Sequence, residues 1–466
     1  LEKLKGSSMK TKRMIVTSAL VLLAAAALSG ALDTGELEKL LLNRTGEGRK
    51  AVGIVVGLAD ASGERFLASG AAAPGGTALP GADTVYEIGS ITKVFTALVL
   101  ADMAVRGEVG LDDPVAKFLP AAATLPERDG KKITLRDLSH QISGLPRMPD
   151  NIKPADGADP YVDYGADRLY AFLAKVKLAR SIGEKYEYSN LGVGLLGHAL
   201  ALRAGMGYGE LVRRRILEPL GMADTAVALD ARLQARLAPG SGPNLGPVKN
   251  WNFDVLAPAG ALRSTARDML KFLTAAMGLR ETPLRAAFDL MLKEEHPTGV
   301  PDLTIGLGWH VWRKYGTEIV WHNGGTGGYR SFAGFDPARK AAVVVLCNTA
   351  FDVDDLGLYA LEPKWPVGRF RPPVARTAVA LEAKALEAFA GEYEIEPGVA
   401  VAVTAADGRL RIKSPGQPEV FYQPWSPTEF FRPGGRELTF FRDAAGAVTR
   451  LELYNEGRVF GAKKIK

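Results

Sequence analysis

A single cysteine, Cys347, stands among 466 residues. One thiol cannot close an internal disulfide, so no covalent framework holds this fold. Its place in the apolar run AAVVVLCNTA assigns it to packing in a buried strand. Histidine is almost as scarce. His140, His198, His296, His310 and His322 are scattered without metal-ligand spacing, so neither a metal site nor a cofactor is expected. Charge of one sign is also lacking. The chain holds 58 Lys/Arg and 52 Asp/Glu, but residues 1–31 carry five of the bases and one acid, leaving 53 against 51. That balance offers no basic footprint, and no nucleic-acid partner is expected. Nor is there a long hydrophobic run: Ile15–Leu28 falls short of the roughly 20 residues a membrane helix needs. Lys10, Lys12 and Arg13 precede it and Ser29-Gly30-Ala31 follow, the pattern of a secretory signal peptide, with Leu1–Ser8 as added residues ahead of Met9. The expectation is a periplasmic or secreted protein after cleavage. An uncleaved membrane anchor is the alternative.

What remains is a 47% hydrophobic, loop-rich chain with 52 Gly and 28 Pro, long enough for two domains. Val52–Asp60 and Arg65–Ala71 are β-rich runs joined by the hairpin signal Asp60-Ala61-Ser62-Gly63. Helical periodicity dominates the middle, at Asp167–Leu178, Leu191–Arg203, Tyr208–Leu217, Thr265–Met277 and Glu281–Leu292. Strand character returns at Leu307–Arg313, Glu318–His322, Tyr329–Phe335 and Ala341–Leu346. Strands at both ends with helices between predict one antiparallel sheet assembled from both ends of an α+β domain. The Pro-rich stretch 357–376 reads as a linker. Beyond it, a short helix over Val379–Ala390 leads into β-like runs separated by Asp407-Gly408, Pro433-Gly434-Gly435 and Glu456-Gly457, the pattern of a small antiparallel barrel or sandwich. The expected division is 1–31, 32–356, 357–376 and 377–466.

Three stretches carry chemistry. In YEIGSITKVFTALVLADMAVRGEV, Tyr86–Val109, a helix starting near Ser90 places Lys93 one turn on, on the same face. A buried lysine there loses hydration, its pKa falls, and it can act as a base near neutrality. GEKYEYSNLGVGLLGHAL places Tyr188-Ser189-Asn190 at the start of an apolar helix, where Ser189 or Asn190 can serve as N-cap. IVWHNGGTGGYRSFAGFDP sets four glycines in five positions behind a strand, which implies that something approaches the backbone closely.

In that order, Ser90-Ile-Thr-Lys93, Tyr188-Ser-Asn190 and His322-Asn-Gly324 resemble the Ser-x-x-Lys, Tyr-x-Asn and Lys-Thr-Gly or His-x-Gly motifs of the penicillin-recognising serine hydrolases. That family comprises class C β-lactamases, low-molecular-weight penicillin-binding proteins, D-Ala-D-Ala carboxypeptidases, D-amino-acid peptidases and related esterases. The phrases LRDLSHQISGLP (135–146), PLGMADT (219–225) and GALRSTARDMLKF (260–272) add to the resemblance, which spans roughly residues 50–350. It implies a five-stranded antiparallel sheet flanked by helices, an all-helical subdomain, and a cleft between them. The carboxy-terminal β domain resembles the lipocalin-like barrels appended to some members. By the same resemblance, Ser90 is the nucleophile and Lys93 and Tyr188 share the proton traffic, with the choice of acylation base open. Asn190, His322 and Gly324 bind substrate, Asn190 also orienting Lys93, and the Ser90 and Gly325 N–H groups form the oxyanion hole. His322 stands where many members have lysine, and an imidazole is only partly charged near neutrality. The expected substrate is a small molecule or short peptide, with peptidoglycan stem peptides or β-lactams as the candidates. A carboxylesterase, a weak β-lactamase and a non-catalytic cell-wall-binding protein are the alternatives, and homo-oligomerisation is left open.

Overall fold

The computed structural model describes residues 34–396, 398–415, 417–432 and 436–466. The expected signal peptide, 1–31, lies outside the described residues. Two compact units emerge: one holds Lys50–Trp365 with the described residues up to Leu41, the other Leu42–Arg49 with Pro366–Lys466.

The first unit is built on one antiparallel sheet fed from both ends of its chain. β1 (Gly53–Asp60) and β2 (Gly63–Gly70) form the predicted hairpin, with Asp60 opposite Gly63 and the Asp60 carboxylate accepting from Ser62 N at 2.8 Å. β3 (His296–Pro297), β4 (Leu303–Ile305), β5 (His310–Lys314), β6 (Thr317–Gly325), β7 (Arg330–Asp336) and β8 (Ala341–Cys347) complete it in the order β2-β1-β8-β7-β6-β5-β4-β3. The sheet therefore has eight strands, where five were expected. Of the three at the β6 edge, β5 answers to the strand character read at Leu307–Arg313, while β3 and β4, of two and three residues, are too short for a two-residue alternation to show in the sequence. β1 and β8 pair with Ile54 opposite Cys347, and every residue of both is buried. That is why GIVVGLAD and AAVVVLC read as continuous apolar runs: both faces of these central strands are covered.

α1 (Gly35–Thr45) precedes the sheet. α2 (Thr92–Val105) is buried from Thr92 to Met103, a core helix apolar on all sides. α3 (Asn190–Ala204) begins at Ser189, whose hydroxyl caps it by accepting from Gly192 N at 2.8 Å, which settles the choice between Ser189 and Asn190. α4 (Ala266–Ala276) and α5 (Arg285–Lys293) pack on the sheet side, where Phe95 of α2 stacks on Phe272 of α4 at 4.2 Å between centroids. α6 (Asp354–Leu361) then occupies the start of the stretch read as an irregular linker. Its Leu356 and Leu358 are buried, and Gly357 lies against the Phe332 ring, so packing keeps this segment helical.

The second unit is a closed barrel of eight strands in sequence order. These are β9 (Gly391–Glu396), β10 (Val399–Ala406), β11 (Arg409–Lys413), β12 (Val420–Pro424), β13 (Glu429–Arg432), β14 (Arg436–Arg442), β15 (Val448–Asn455) and β16 (Arg458–Lys464). β9 closes on β16. The helix expected over Val379–Ala390 shrinks to Ala383–Glu387. Phe389, Tyr393, Phe430 and Phe440 fill the interior with mutually packed rings. Asn43 clasps Phe370 within this unit, donating to its carbonyl and accepting from its N–H, both at 2.7 Å.

Candidate active site

Ser90 lies in a 3-10 turn, Gly89–Ile91, that feeds directly into α2. Gly89 has φ +50°, and a Cβ there would sit 2.6 Å from Gly325 N, so only glycine lets the turn meet the end of β6. Gly324 is equally constrained, since a side chain on it would run into the Ile88 carbonyl. Gly327 has Trp251 against it, and Gly328 has Val248 and Gly240. What approaches the glycine cluster is thus largely the protein itself. The result places the backbone of Ser90 beside that of Gly325.

One turn into α2, Lys93 is 1% exposed. Its Nζ donates to Ser90 Oγ at 2.9 Å and to Ala259 O at 2.7 Å. Burial, reinforced by the positive charge of Arg147, holds its pKa well below the ordinary lysine value. The Tyr188 ring lies below the ammonium, 4.8 Å from Nζ to the centroid. Burial drives the Tyr188 phenol well above its usual value, against the opposing pull of the Ser90 hydroxyl beside it. Ser90 and Lys93, with Tyr188 from far along the sequence, are therefore one cluster.

The other expected site residues divide. Gly324, Gly325, Ser90 and Tyr188 line a cleft of about 450 Å³. Asn190 does not orient Lys93: its amide donates to Met148 Sδ at 3.2 Å, and the carbonyl of Ala259 takes the orienting role. His322 is 1% exposed, with Nδ1 2.6 Å from Asn323 O. Burial, then His310 and Lys93, press its pKa well below 6.5, so the partly charged imidazole expected from the sequence is a neutral one. Its ring centroid is 6.2 Å from that of Tyr188 and 5.1 Å from that of His310.

Several cleft residues carried no signal in the sequence. His310 lines the cleft, held at about 4 by burial, with Nε2 3.0 Å from the Tyr186 hydroxyl. Arg147 and Arg330 bring guanidinium groups, and Asp352 and Asp354 bring carboxylates. Asp354 accepts from the Asn323 amide, and burial followed by the Asp352 charge raises its pKa well above the carboxylate range. A larger hollow of about 790 Å³ lies at the ends of α2, α4 and α5. Its Arg285 and Lys340 already bond the last carbonyls of α4, at Ala275, Ala276 and Met277, which is ordinary helix capping. Among the described residues no cluster of His, Cys, Asp and Glu could hold a metal ion.

A β-lactamase/transpeptidase-like α+β domain with a serine and a buried lysine at the head of its core helix, followed by a separate β-barrel, defines a serine hydrolase. The chain belongs to the Beta-lactamase family, which it matches over residues 40–361. It is 29% identical over 321 residues to the D-alanyl-D-alanine-carboxypeptidase/endopeptidase AmpH of Escherichia coli (strain K12), covering 64% of this chain and 80% of the relative. Among solved structures, a β-lactamase/D-alanine carboxypeptidase from Yersinia pestis, complexed with citrate, superposes with a TM-score of 0.59 at 26% identity, over 68% of this chain and 94% of that one. A class C β-lactamase from Rhodobacter sphaeroides shares the fold with a TM-score of 0.60 at 24% identity, over 70% and 98%.

Proposed function

We propose that this chain is a D-Ala-D-Ala carboxypeptidase-like peptidase that forms an acyl-enzyme at Ser90. The observation that carries the reading is the 2.9 Å contact between Ser90 Oγ and a Lys93 amine whose charged form is disfavoured. In the neutral amine the lone pair faces the serine hydroxyl and can take its proton as Oγ attacks the scissile carbonyl. Tyr188, held protonated, is a poor base but a suitable donor to the departing amine. Its proton is replaced from Lys93, so the proton lost by Ser90 leaves with the product. The N–H groups of Ser90 and Gly325 face the developing oxyanion, and water then hydrolyses the ester.

D-amino-acid peptides are favoured because two of the relatives above bear carboxypeptidase names, and because residues 10–31 read as a signal that would put the enzyme in the periplasm beside peptidoglycan. A carboxylesterase is the second reading. The observation in its favour is His322, whose burial leaves the third motif without the fixed cation that a carboxylate substrate would use. We read the appended barrel as lipocalin-like in its up-and-down strand order, with Phe389, Tyr393, Phe430 and Phe440 packed together in its interior.

Incubation with a fluorescent penicillin, followed by peptide mass spectrometry, tests the nucleophile. Covalent mass on Ser90, absent in Ser90→Ala, is expected. Turnover of any substrate by Ser90→Ala at the wild-type rate would remove the assignment. Hydrolysis of D-Ala-D-Ala peptides compared with short-chain nitrophenyl esters then separates the two substrate readings.

A further inference from the structure

An enzyme that trims a peptide from its carboxyl end needs a cation for the terminal carboxylate, and the buried, neutral His322 does not present one. Two guanidinium groups reach the cleft. Arg330 is committed to its own loop, with Nη1 donating to the carbonyls of Thr326 and Tyr329 at 2.8 Å each, and it shares its wall with Asp352 and Asp354. Arg147 is different. It is exposed, its guanidinium lies over the Tyr188 ring at 5.0 Å from the centroid, and among the described residues no hydrogen bond or ion pair engages that group.

The backbone beneath Arg147 is firmly mounted. Pro146 O accepts from Ser189 Oγ at 2.7 Å, and Arg147 O accepts from Asn190 N at 3.0 Å and Leu191 N at 3.3 Å. Met148 Sδ accepts from the Asn190 amide at 3.2 Å. Segment 146–148 is thereby fastened to the start of α3, just ahead of which Tyr188 lies. A guanidinium resting on an aromatic face keeps its donor edge free for a planar, two-pronged partner. This arrangement also gives the Tyr-x-Asn motif a second use, since its serine and asparagine hold the arginine in place.

We propose that Arg147, rather than the third-motif His322, binds the free carboxylate of the substrate on the side of the scissile bond served by Tyr188, through a bidentate guanidinium–carboxylate contact. The assignment rests on the reading of Ser90 as nucleophile and deepens it by naming what the cleft recognises. It fits a terminal carboxylate on the leaving group, whether the bond broken is an amide or an ester.

The test uses the full chain and two esters with the same acyl group, phenyl butyrate and 3-carboxyphenyl butyrate, with kcat/KM normalised to hydroxide hydrolysis. The carboxylated ester is expected to be preferred by about tenfold to a hundredfold, the range for a charged hydrogen bond. In Arg147→Ala and Arg147→Gln that ratio should collapse towards one through KM, and Arg147→Lys should restore part of it. Arg330→Gln should keep the preference. No preference in the wild type, an unchanged ratio in both Arg147 variants, equal losses on the two esters, or loss of the preference in Arg330→Gln alone would overturn the assignment. Absence of any ester turnover would overturn it together with the Ser90 reading. A preference that depends on Arg147 in an enzyme that leaves D-Ala-D-Ala peptides intact would uphold the arginine and sink only the peptidase.

Discussion

Replacing Lys93 with methionine isolates the property on which the mechanism depends, the neutrality of the buried amine. Methionine roughly conserves volume, so the core around α2 should repack at little cost. The substitution removes the bonds to Ser90 Oγ and Ala259 O and orphans that carbonyl, a loss of about 1–3 kcal/mol that does not vary with pH. It also removes the desolvation that depresses the lysine pKa, and this contribution does vary with pH. Between the depressed folded pKa and the unfolded value near 10.4, the unfolded chain binds one proton more than the folded one. Wild-type stability should therefore rise with pH relative to Lys93→Met by about 1.4 kcal/mol per unit throughout that window. Urea unfolding at pH 7.5 and 9.5, followed by tryptophan fluorescence, should show the difference between the two proteins moving in favour of wild type, by up to roughly 2.7 kcal/mol over the two units. Trp251, Trp309, Trp312, Trp321 and Trp365 belong to the catalytic unit, so the signal reports its unfolding above all. A difference that stays flat over this range would mean that Lys93 remains protonated when folded, and a protonated lysine cannot take the serine proton.

Two further substitutions probe the cleft walls. His322→Lys restores the residue found in many relatives of this type, yet it would place an ammonium in a buried position that already faces Lys93 and His310. It is expected to cost on the order of 3 kcal/mol in chemical denaturation rather than improve carboxylate binding. Gly324→Ala would drive a methyl group into the Ile88 carbonyl and push β6 away from the Ser90 turn. If the Gly325 N–H serves the oxyanion, acylation should slow by about 10²–10³-fold, with binding of a non-reactive ligand nearly unchanged. In the barrel unit, Asn43→Ala should lower stability by about 1–3 kcal/mol, because it removes both side-chain hydrogen bonds to the Phe370 backbone.

The parts of this molecule legible in its sequence are those written in side-chain type and period. Ser90, Lys93 and Tyr188 announce themselves by motif, β1 and β8 by unbroken apolar runs, and the barrel by turn residues at regular spacing. What escaped was written elsewhere. Ala259 fixes Lys93 through a backbone carbonyl, which no residue type signals. Asn190 occupies the right position in the motif but turns its amide to Met148, a choice made by a loop some forty residues away. His310 is an isolated histidine on a short strand between two others, and Arg147 sits in an irregular segment where a charged residue reads as solvated surface. The charge on His322 was misjudged because local sequence does not report burial. The imidazole is enclosed by strands and by two other basic groups that only the fold brings to it.

The cationic groups in this cleft are coupled, and the coupling has a direction. The pKa of Lys93 is lowered first by burial and then by the charge of Arg147. A carboxylate bound at Arg147 would cancel that charge, so the proton affinity of Lys93 should rise in the complex and the amine should need a higher pH to act as base. Rates at low ester report the free enzyme and saturating rates report the complex. For 3-carboxyphenyl butyrate, the acidic limb of the saturating acylation rate, read from the burst of phenol release, should therefore lie at higher pH than the limb measured at low ester. For phenyl butyrate the two limbs should coincide. His310, held at about 4, and His322, held well below 6.5, stay neutral near pH 7 and add no limb there, while Tyr188 stays protonated. Arg147→Gln removes the cation from the free enzyme, so its low-ester limb should move to higher pH and the gap between the limbs should close. Coincident limbs for both esters in the wild type, or a limb that moves to lower pH in Arg147→Gln, would show that Arg147 and Lys93 do not share a field.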